Sequence, residues 1–322
     1  MARQYTAQAL IDVVKRKASV PGTAATGTAD ADILDHINEC LLTEMVPWLM
    51  KFREEYLVVS EQIPLVSGTS RYRINPRAVG QQLRDVLLIG SGTSNRRPIG
   101  RIQREDLPLY DQSGAYGGYE GFYIEGNDVV LVSTNITSAA SLELSFYFRP
   151  GELVIHPTSA VTVTVVDTAT KTVDFAGTIP SGWDDTLKYD IHSGYSGAEI
   201  KVWGLTAATV NANDIVFSDE IDGSVVGTKA VEVGDYLCLE EEAALPALPR
   251  ECHPILAQSA VCSVLRAAGD IELLDRETQQ LNRMMKRAES FTERRVKGKP
   301  QKVTGNRSPL WQGSQAGSST YH

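Results

Sequence analysis

The chain reads as an α+β protein: a helical core made by its N- and C-terminal segments, a central β unit, and an inserted Val/Thr-rich β-sandwich or barrel. Three observations predict it. At both ends apolar residues recur three and four apart, the spacing of one helix face. From Leu57 the period changes to two, the spacing of strands. Residues 157–237 then depart in composition, with 12 Val and 11 Thr among 81 residues, four Lys, no Arg and twelve acids.

The N-terminal segment from Thr6 to Ala18 puts Ala9, Leu10, Val13 and Val14 on one side, with Thr6 as the expected N-cap and Pro21-Gly22 as the stop. A second helix, capped by Thr28 or Asp30, carries the stripe Ile33, Leu34, Ile37, Leu41, Leu42 and Met45. Pro47 is expected to kink it or to separate a segment Trp48–Tyr56. Trp48, Leu49 and Phe52 read there as core or subunit contacts.

Tyr56–Val59, Arg71–Ile74, Asp85–Ile89, Phe122–Ile124, Val129–Val132 and Leu142–Phe148 read as strands between Gly, Pro, Asn and Ser turns. Glu125-Gly126-Asn127-Asp128 reads as a tight hairpin connection. Alternation in Val161-Thr-Val-Thr-Val165, with turn signals at Thr168–Lys171 and Asp222-Gly223, makes residues 157–237 a small all-β unit. Glu240-Glu-Glu242, Pro246 and Pro249 lead back to helices. Ile255, Leu256, Val261, Val264, Leu265 and Ala268 mark one helix face, and Leu274, Leu281, Met284, Met285, Ala288 and Phe291 another, divided at Gly269-Asp270. The expected division is a discontinuous core of 1–156 plus 238–296, an inserted domain at 157–237 and an extended basic arm at 297–322.

Charge is divided along the chain. The formal net charge is −9, yet residues 294–322 hold Arg294, Arg295, Lys297, Lys299, Lys302 and Arg307 without one acid. Without them the remainder has 25 Lys and Arg against 40 Asp and Glu, or −15. An acidic body is a poor partner for phosphate backbones, and the absence of Arg from 157–237 argues against a nucleic-acid reader there. The arm, rich in Gly, Ser, Gln and Pro, cannot bury a core of its own and gains order on a partner.

Chemistry finds little footing. Gly90-Ser-Gly-Thr-Ser-Asn95 begins like a dinucleotide loop, but its third glycine is missing and Arg96-Arg-Pro-Ile99 does not open a helix, so a hairpin turn explains it. The five histidines, His36, His156, His192, His253 and His322, are scattered, and no metal or cofactor is expected. Asp184-Asp185 reads as a solvated turn in preference to a calcium contact. No nucleophile elbow accompanies a matching His and Asp order, so no enzyme is expected. Cys40, Cys238, Cys252 and Cys262 lack paired spacing and read as free thiols of a reducing cytoplasm. The N-terminus shows no secretory pattern, and Asn135-Ile-Thr137 is then an unmodified sequon. No window is apolar enough to span a membrane. Trp183, Tyr189, Tyr195 and Trp203 fit either an aromatic platform for sugars or the core of a small β unit, and the core is favoured.

Asp30–Asn38, the Tyr72–Ile89 stretch with Pro76-Arg77 and Leu83–Val86, Tyr123–Gly126, Phe146–Val154, and Leu248–Leu256 leading to Asp270 together resemble the head-to-tail adaptor (connector) proteins of tailed bacteriophages. The resemblance implies a structural virion protein of the neck, assembled in the host cytoplasm. It implies a homo-oligomeric ring, usually of twelve copies, beneath the portal protein and above a tail tube, nozzle or other tail protein, through which genomic DNA passes without specific binding. It also implies that the arm climbs the portal, which makes Arg294, Arg295, Lys297, Lys299, Lys302, Arg307 and Trp311 the expected portal contacts, Trp311 as the anchor. The inserted unit exceeds the minimal members of that family. The competing expectation is an oligomeric glycan- or receptor-binding β module with a helical stalk, which would expose Trp183 and Trp203 beside one another.

Overall fold

In the computed structural model, which describes residues 5–18, 29–90, 96–107, 121–132, 141–194 and 199–292, the two ends of the chain meet in one helical bundle. Helix α1 (Ala7–Lys17) opens with the Thr6 hydroxyl accepting the Ala9 N–H at 3.3 Å, which satisfies one orphan donor of the first turn. Leu10, Ile11 and Val14 are its buried face.

Helix α2 (Asp30–Cys40) differs from expectation at its start. Asp30 is already helical and Ala29 holds the N-cap position, while Thr28 lies outside the described residues. Alanine offers no acceptor there. The Asp32 carboxylate instead reaches back to the Ala29 N–H at 3.1 Å, the reciprocal half of a capping box. A separate helical segment does begin at Val46-Pro47, although the chain stays helical across the junction. One π-helical turn, Leu41–Met45, widens the backbone just before α3 (Val46–Arg53), so the ring is accommodated early in the new segment. Ile33, Ile37, Leu41, Met45 and Leu49 remain on the bundle side throughout.

The central β unit has two four-stranded sheets that face each other. One has the order β1-β8-β3-β4: β1 (Val58–Pro64), β8 (Ser141–Phe148), β3 (Ala78–Ile89), β4 (Arg96–Pro98). The other has the order β2-β7-β6-β5: β2 (Arg71–Arg73), β7 (Asp128–Val132), β6 (Gly121–Glu125), β5 (Gly100–Arg101). Leu142, Leu144 and Phe146 of β8 alternate into the shared core against Tyr72, Phe122, Val129 and Leu131. Glu125 pairs with Asp128, so the turn is Gly126-Asn127, with Gly126 at φ +60° where a left-handed residue is required. Strand β3 runs further back than Asp85, through a large bulge in which Gly80 and Gln81 take positive φ. That bulge breaks the alternation by which a strand is read.

A two-residue strand β9 (Glu152–Leu153) precedes the second unit, a closed six-stranded barrel. Around it run β10 (Ala160–Asp167), β11 (Thr172–Phe175), β14 (Asp214–Phe217), β13 (Ile200–Val210), β12 (Lys188–His192) and β15 (Tyr236–Leu239), which returns to β10. Closure removes every free edge. The inside is filled by Val161, Val163, Val173, Tyr189, Ile191, Ile215, Phe217 and Leu237. The short strand β16 (Glu242–Ala243) then pairs with β9 in parallel and returns the chain to the bundle.

Helix α4 (His253–Ala268) is the centre of that bundle. It was expected to bury one face. In fact residues from Ile255 to Leu265 are buried on nearly every side, Gln258 and Ser259 included, whereas Ala268 is exposed near its end. The reason is that α1, α2 and α5 (Ile271–Thr292) all pack against α4, so it has no solvent side. Gly269 at φ +74° ends α4, the Asp270 N–H returns to the Leu265 carbonyl at 3.2 Å, and the Asp270 carboxylate caps α5 at the Leu273 N–H.

Candidate functional site

Helix α5 is the last described element of the chain and ends two residues before the basic stretch 294–322. Leu273, Leu274, Leu281, Met284, Met285 and Ala288 pack on the bundle core. A polar chain fixes its rotation and depth. The Lys17 ammonium donates to Gln258 Oε1 at 2.6 Å, and Gln258 Nε2 donates to the Glu277 carboxylate at 2.8 Å and to its carbonyl at 3.2 Å. Gln258 is fully buried and Glu277 nearly so, and a single amide joins three helices while serving both partners. Rotating α5 by one residue would leave the Glu277 carboxylate buried without a donor, at a cost of about 1–3 kcal/mol or more for a charged group.

The residues singled out as portal contacts, Arg294, Arg295, Lys297, Lys299, Lys302, Arg307 and Trp311, all lie outside the described residues, as do Tyr195, His322 and the Asn135 sequon. The nearest described point is Thr292, at the end of α5.

A second candidate region lies where the β unit meets the barrel, and no local pattern announces it. Arg77, beside Ala78 of β3, donates through Nη1 to the Asp190 carboxylate of β12, and its guanidinium lies over the Phe148 ring at 4.4 Å. Asp190 also accepts from the Gly204 N–H at 2.9 Å and the Glu241 N–H at 3.0 Å, so three segments converge on one buried carboxylate. Trp203 of β13 meets Phe148 at 5.6 Å between centroids. Gly227 lays the 222–231 loop across the edge strand β1. A Cβ there would stand 1.8 Å from the Ser60 carbonyl oxygen, so only glycine permits this approach. The loop covers backbone groups that an edge strand would otherwise leave open to pairing.

Beside this crossing is a cavity of 570 Å³ lined by residues of both units, among them Arg96, Glu143, His192, Glu199 and Lys229. Glu143 projects from the middle of β8 on the side away from the sheet core, with 5% of its surface exposed, and Arg96 Nη2 stands 3.3 Å from its Oε2. Lys229 pairs with Glu199 at the rim, and His192 Nε2 meets the Glu242 carbonyl at 2.9 Å. The Arg77–Asp190 pair leaves no local signal, because its members are 113 residues apart.

The remaining candidates are placed as follows. Ile89 and Arg96, flanking the Gly90 loop, pair antiparallel, and Arg96-Arg97-Pro98 is a strand. Asp184 accepts from the Thr186 N–H and hydroxyl, which holds its carboxyl below the usual range, as suits an exposed turn. Trp183 and Tyr189 stack edge-on within the barrel core, and Trp203 belongs to the joint with Phe148. Among the described histidines, His36 faces Ser263, His156 faces Thr162, and His253 meets the Leu248 carbonyl at 3.1 Å. All four cysteines are buried and unpaired, and burial pushes the Cys40 and Cys252 thiols up to about 11, away from reactivity. Among the described residues no helix is long and apolar enough to cross a membrane.

Taken as a class, this is an α+β chain in which a helical bundle closed by both chain ends carries a two-sheet β unit and a six-stranded barrel. No family model matches the chain, and no curated protein matches it.

Proposed function

We propose that this chain is a head-to-tail adaptor of a tailed bacteriophage: a structural ring component that joins the capsid portal to the tail and gives DNA a passage. One observation carries the reading. Helix α5 is held at a fixed depth by the bundle and ends at Thr292, and after Glu293 the sequence 294–322 has six cations and no acid. A rigid mount for a basic, core-less arm suits a protein that must grip a neighbour, and repetition around a ring multiplies weak contacts into a firm joint.

Two further features support it. The acidic body repels phosphates, so a wall made from it would let DNA pass without retention. The aromatic residues do not favour the glycan-binding alternative, since Trp183 is packed in the barrel core and Trp203 in the joint. In this reading Arg294, Arg295, Lys297, Lys299, Lys302 and Arg307 pair with acidic portal groups and Trp311 seats in an apolar pocket. The protein is no enzyme and takes no cofactor in this account. The test is binding to the portal ring of its own virion. Truncation after Val296 is expected to abolish docking while the far-ultraviolet spectrum and melting of the body stay unchanged, and undiminished docking of the truncated chain would overturn the assignment of the arm.

A further inference from the structure

Two surfaces of opposite charge lie apart from the joint and the cavity described above. The first is the outward side of α5. Arg276, Gln280, Arg283 and Arg287 follow one another at intervals of four, three and four residues and therefore share one stripe, about 16 Å long. With Gln279 and Met284 they line a shallow groove. The Arg276 side chain is 80% exposed, and the carboxylate beside it, Glu277, stands 3.9 Å away and is committed to Gln258. The exposed acids Glu272 and Asp275 precede the stripe near the start of α5, where the helix dipole favours negative charge.

The second surface is the outer face of the barrel. Strand pairing sets Val165 opposite Asp174 and Asp174 opposite Asp214, so one row crosses β10, β11 and β14 over about 10 Å. Like charges directly across adjacent strands repel. Among the described residues neither carboxylate has a cationic partner; Asp214 takes only the Asn211 amide, at 2.8 Å. The irregularity between Val163 and Val165 accompanies a Val165 that is 51% exposed, beside those two acids. An exposed valine next to two unneutralised carboxylates matches a partner surface with long cationic side chains, whose stems cover the apolar group while their heads reach the acids.

We infer that the Arg276–Gln280–Arg283–Arg287 stripe of one copy docks on the Val165–Asp174–Asp214 row of the next copy. The inference rests on the ring reading and names its closing contact. Because the two faces differ, each copy uses one toward each neighbour, the heterologous arrangement that a ring requires. Arginine forks on the paired carboxylates would make the contact salt-sensitive and would fix its register.

The experiment uses the full chain, with native mass and light scattering as readouts and circular dichroism melting to establish that each variant is folded. Arg283→Glu and Asp174→Arg are each expected to weaken assembly by about tenfold or more in dissociation constant. The double variant is expected to restore it, and so is an equimolar mixture of the two single variants, in which every contact again joins opposite charges. If wild type and both folded single variants form the same annular assembly with equal affinity, the inference fails and the ring reading stands. If the double variant stays as weak as the singles, charge pairing between these faces is also refuted. A wild-type chain that remains monomeric at every concentration overturns the ring reading and the inference together.

Discussion

The Arg77 guanidinium is enclosed between the Phe148 ring and the Asp190 carboxylate, so the β unit and the barrel share one buried ion pair. Asp190 has its other donors in place, the Gly204 and Glu241 N–H groups. Among the described residues Nε and Nη2 of Arg77 meet no hydrogen-bond acceptor, which makes the pair costly to bury and more costly to break. Asp190→Ala is therefore expected to destabilise by about 3–5 kcal/mol in urea unfolding, since it strands a buried guanidinium and two N–H groups. Replacing both members by apolar residues, Arg77→Met with Asp190→Leu, is expected to cost less than Asp190→Ala alone. A double variant no more stable than Asp190→Ala would argue that the pair is not the joint.

Gly227 bears on the same joint from the other side. Its φ of +88° and its contact with the Ser60 carbonyl leave no room for a methyl group. Gly227→Ala should cost about 1–3 kcal/mol and lift the 222–231 loop from β1. Hydrogen exchange should then quicken in Val58–Pro64 while the bundle helices keep their protection. Unchanged exchange along β1 would show that the loop does not shield the edge.

His253 gives the bundle an acid limit. Burial lowers its pKa from 6.5 to about 4, with nearby Arg250 adding in the same direction, while the hydrogen bonds to the Leu248 and Pro246 carbonyls oppose the shift without cancelling it. A depressed folded-state pKa means that the folded chain holds the neutral ring while the unfolded chain takes up the proton first. The stabilisation is complete above pH 6.5 and is lost as pH falls from there toward 4, by roughly 3 kcal/mol over the window. His253→Gln keeps a donor for the Leu248 carbonyl and removes the titration. Between pH 7 and 4 its stability should fall by roughly 3 kcal/mol less than that of the wild type, and equal pH dependence in the two would contradict this account of His253.

Much of the architecture was legible because it is local. The Thr6 cap, the α1 and α2 stripes, the Gly126-Asn127 turn and the Val/Thr alternation each act within a few residues, and each led to the element it predicted. Local signals failed where distant groups decide. The one-face reading of α4 missed that three helices surround it, and the expected cap at Asp30 gave way to a carboxylate three residues beyond Ala29. The bulge at Gly80-Gln81 hid the first half of β3. The Arg77–Asp190 pair and the cavity around Glu143 depend on how the two β units meet, which no window of sequence contains. The basic character of residues 294–322 is legible from composition alone, since an absence of acids over 29 residues needs no fold to be seen.

In the proposed reading the helices near the chain ends close a circle of identical copies and residues 294–322 bind a portal. Electron microscopy of the purified full-length chain, alone and mixed with the portal ring of its virion, tests it most directly. The account predicts annular particles that stack coaxially on the portal, with a joint that weakens as salt screens the arm. Single globular particles that neither form rings nor attach to the portal would contradict it.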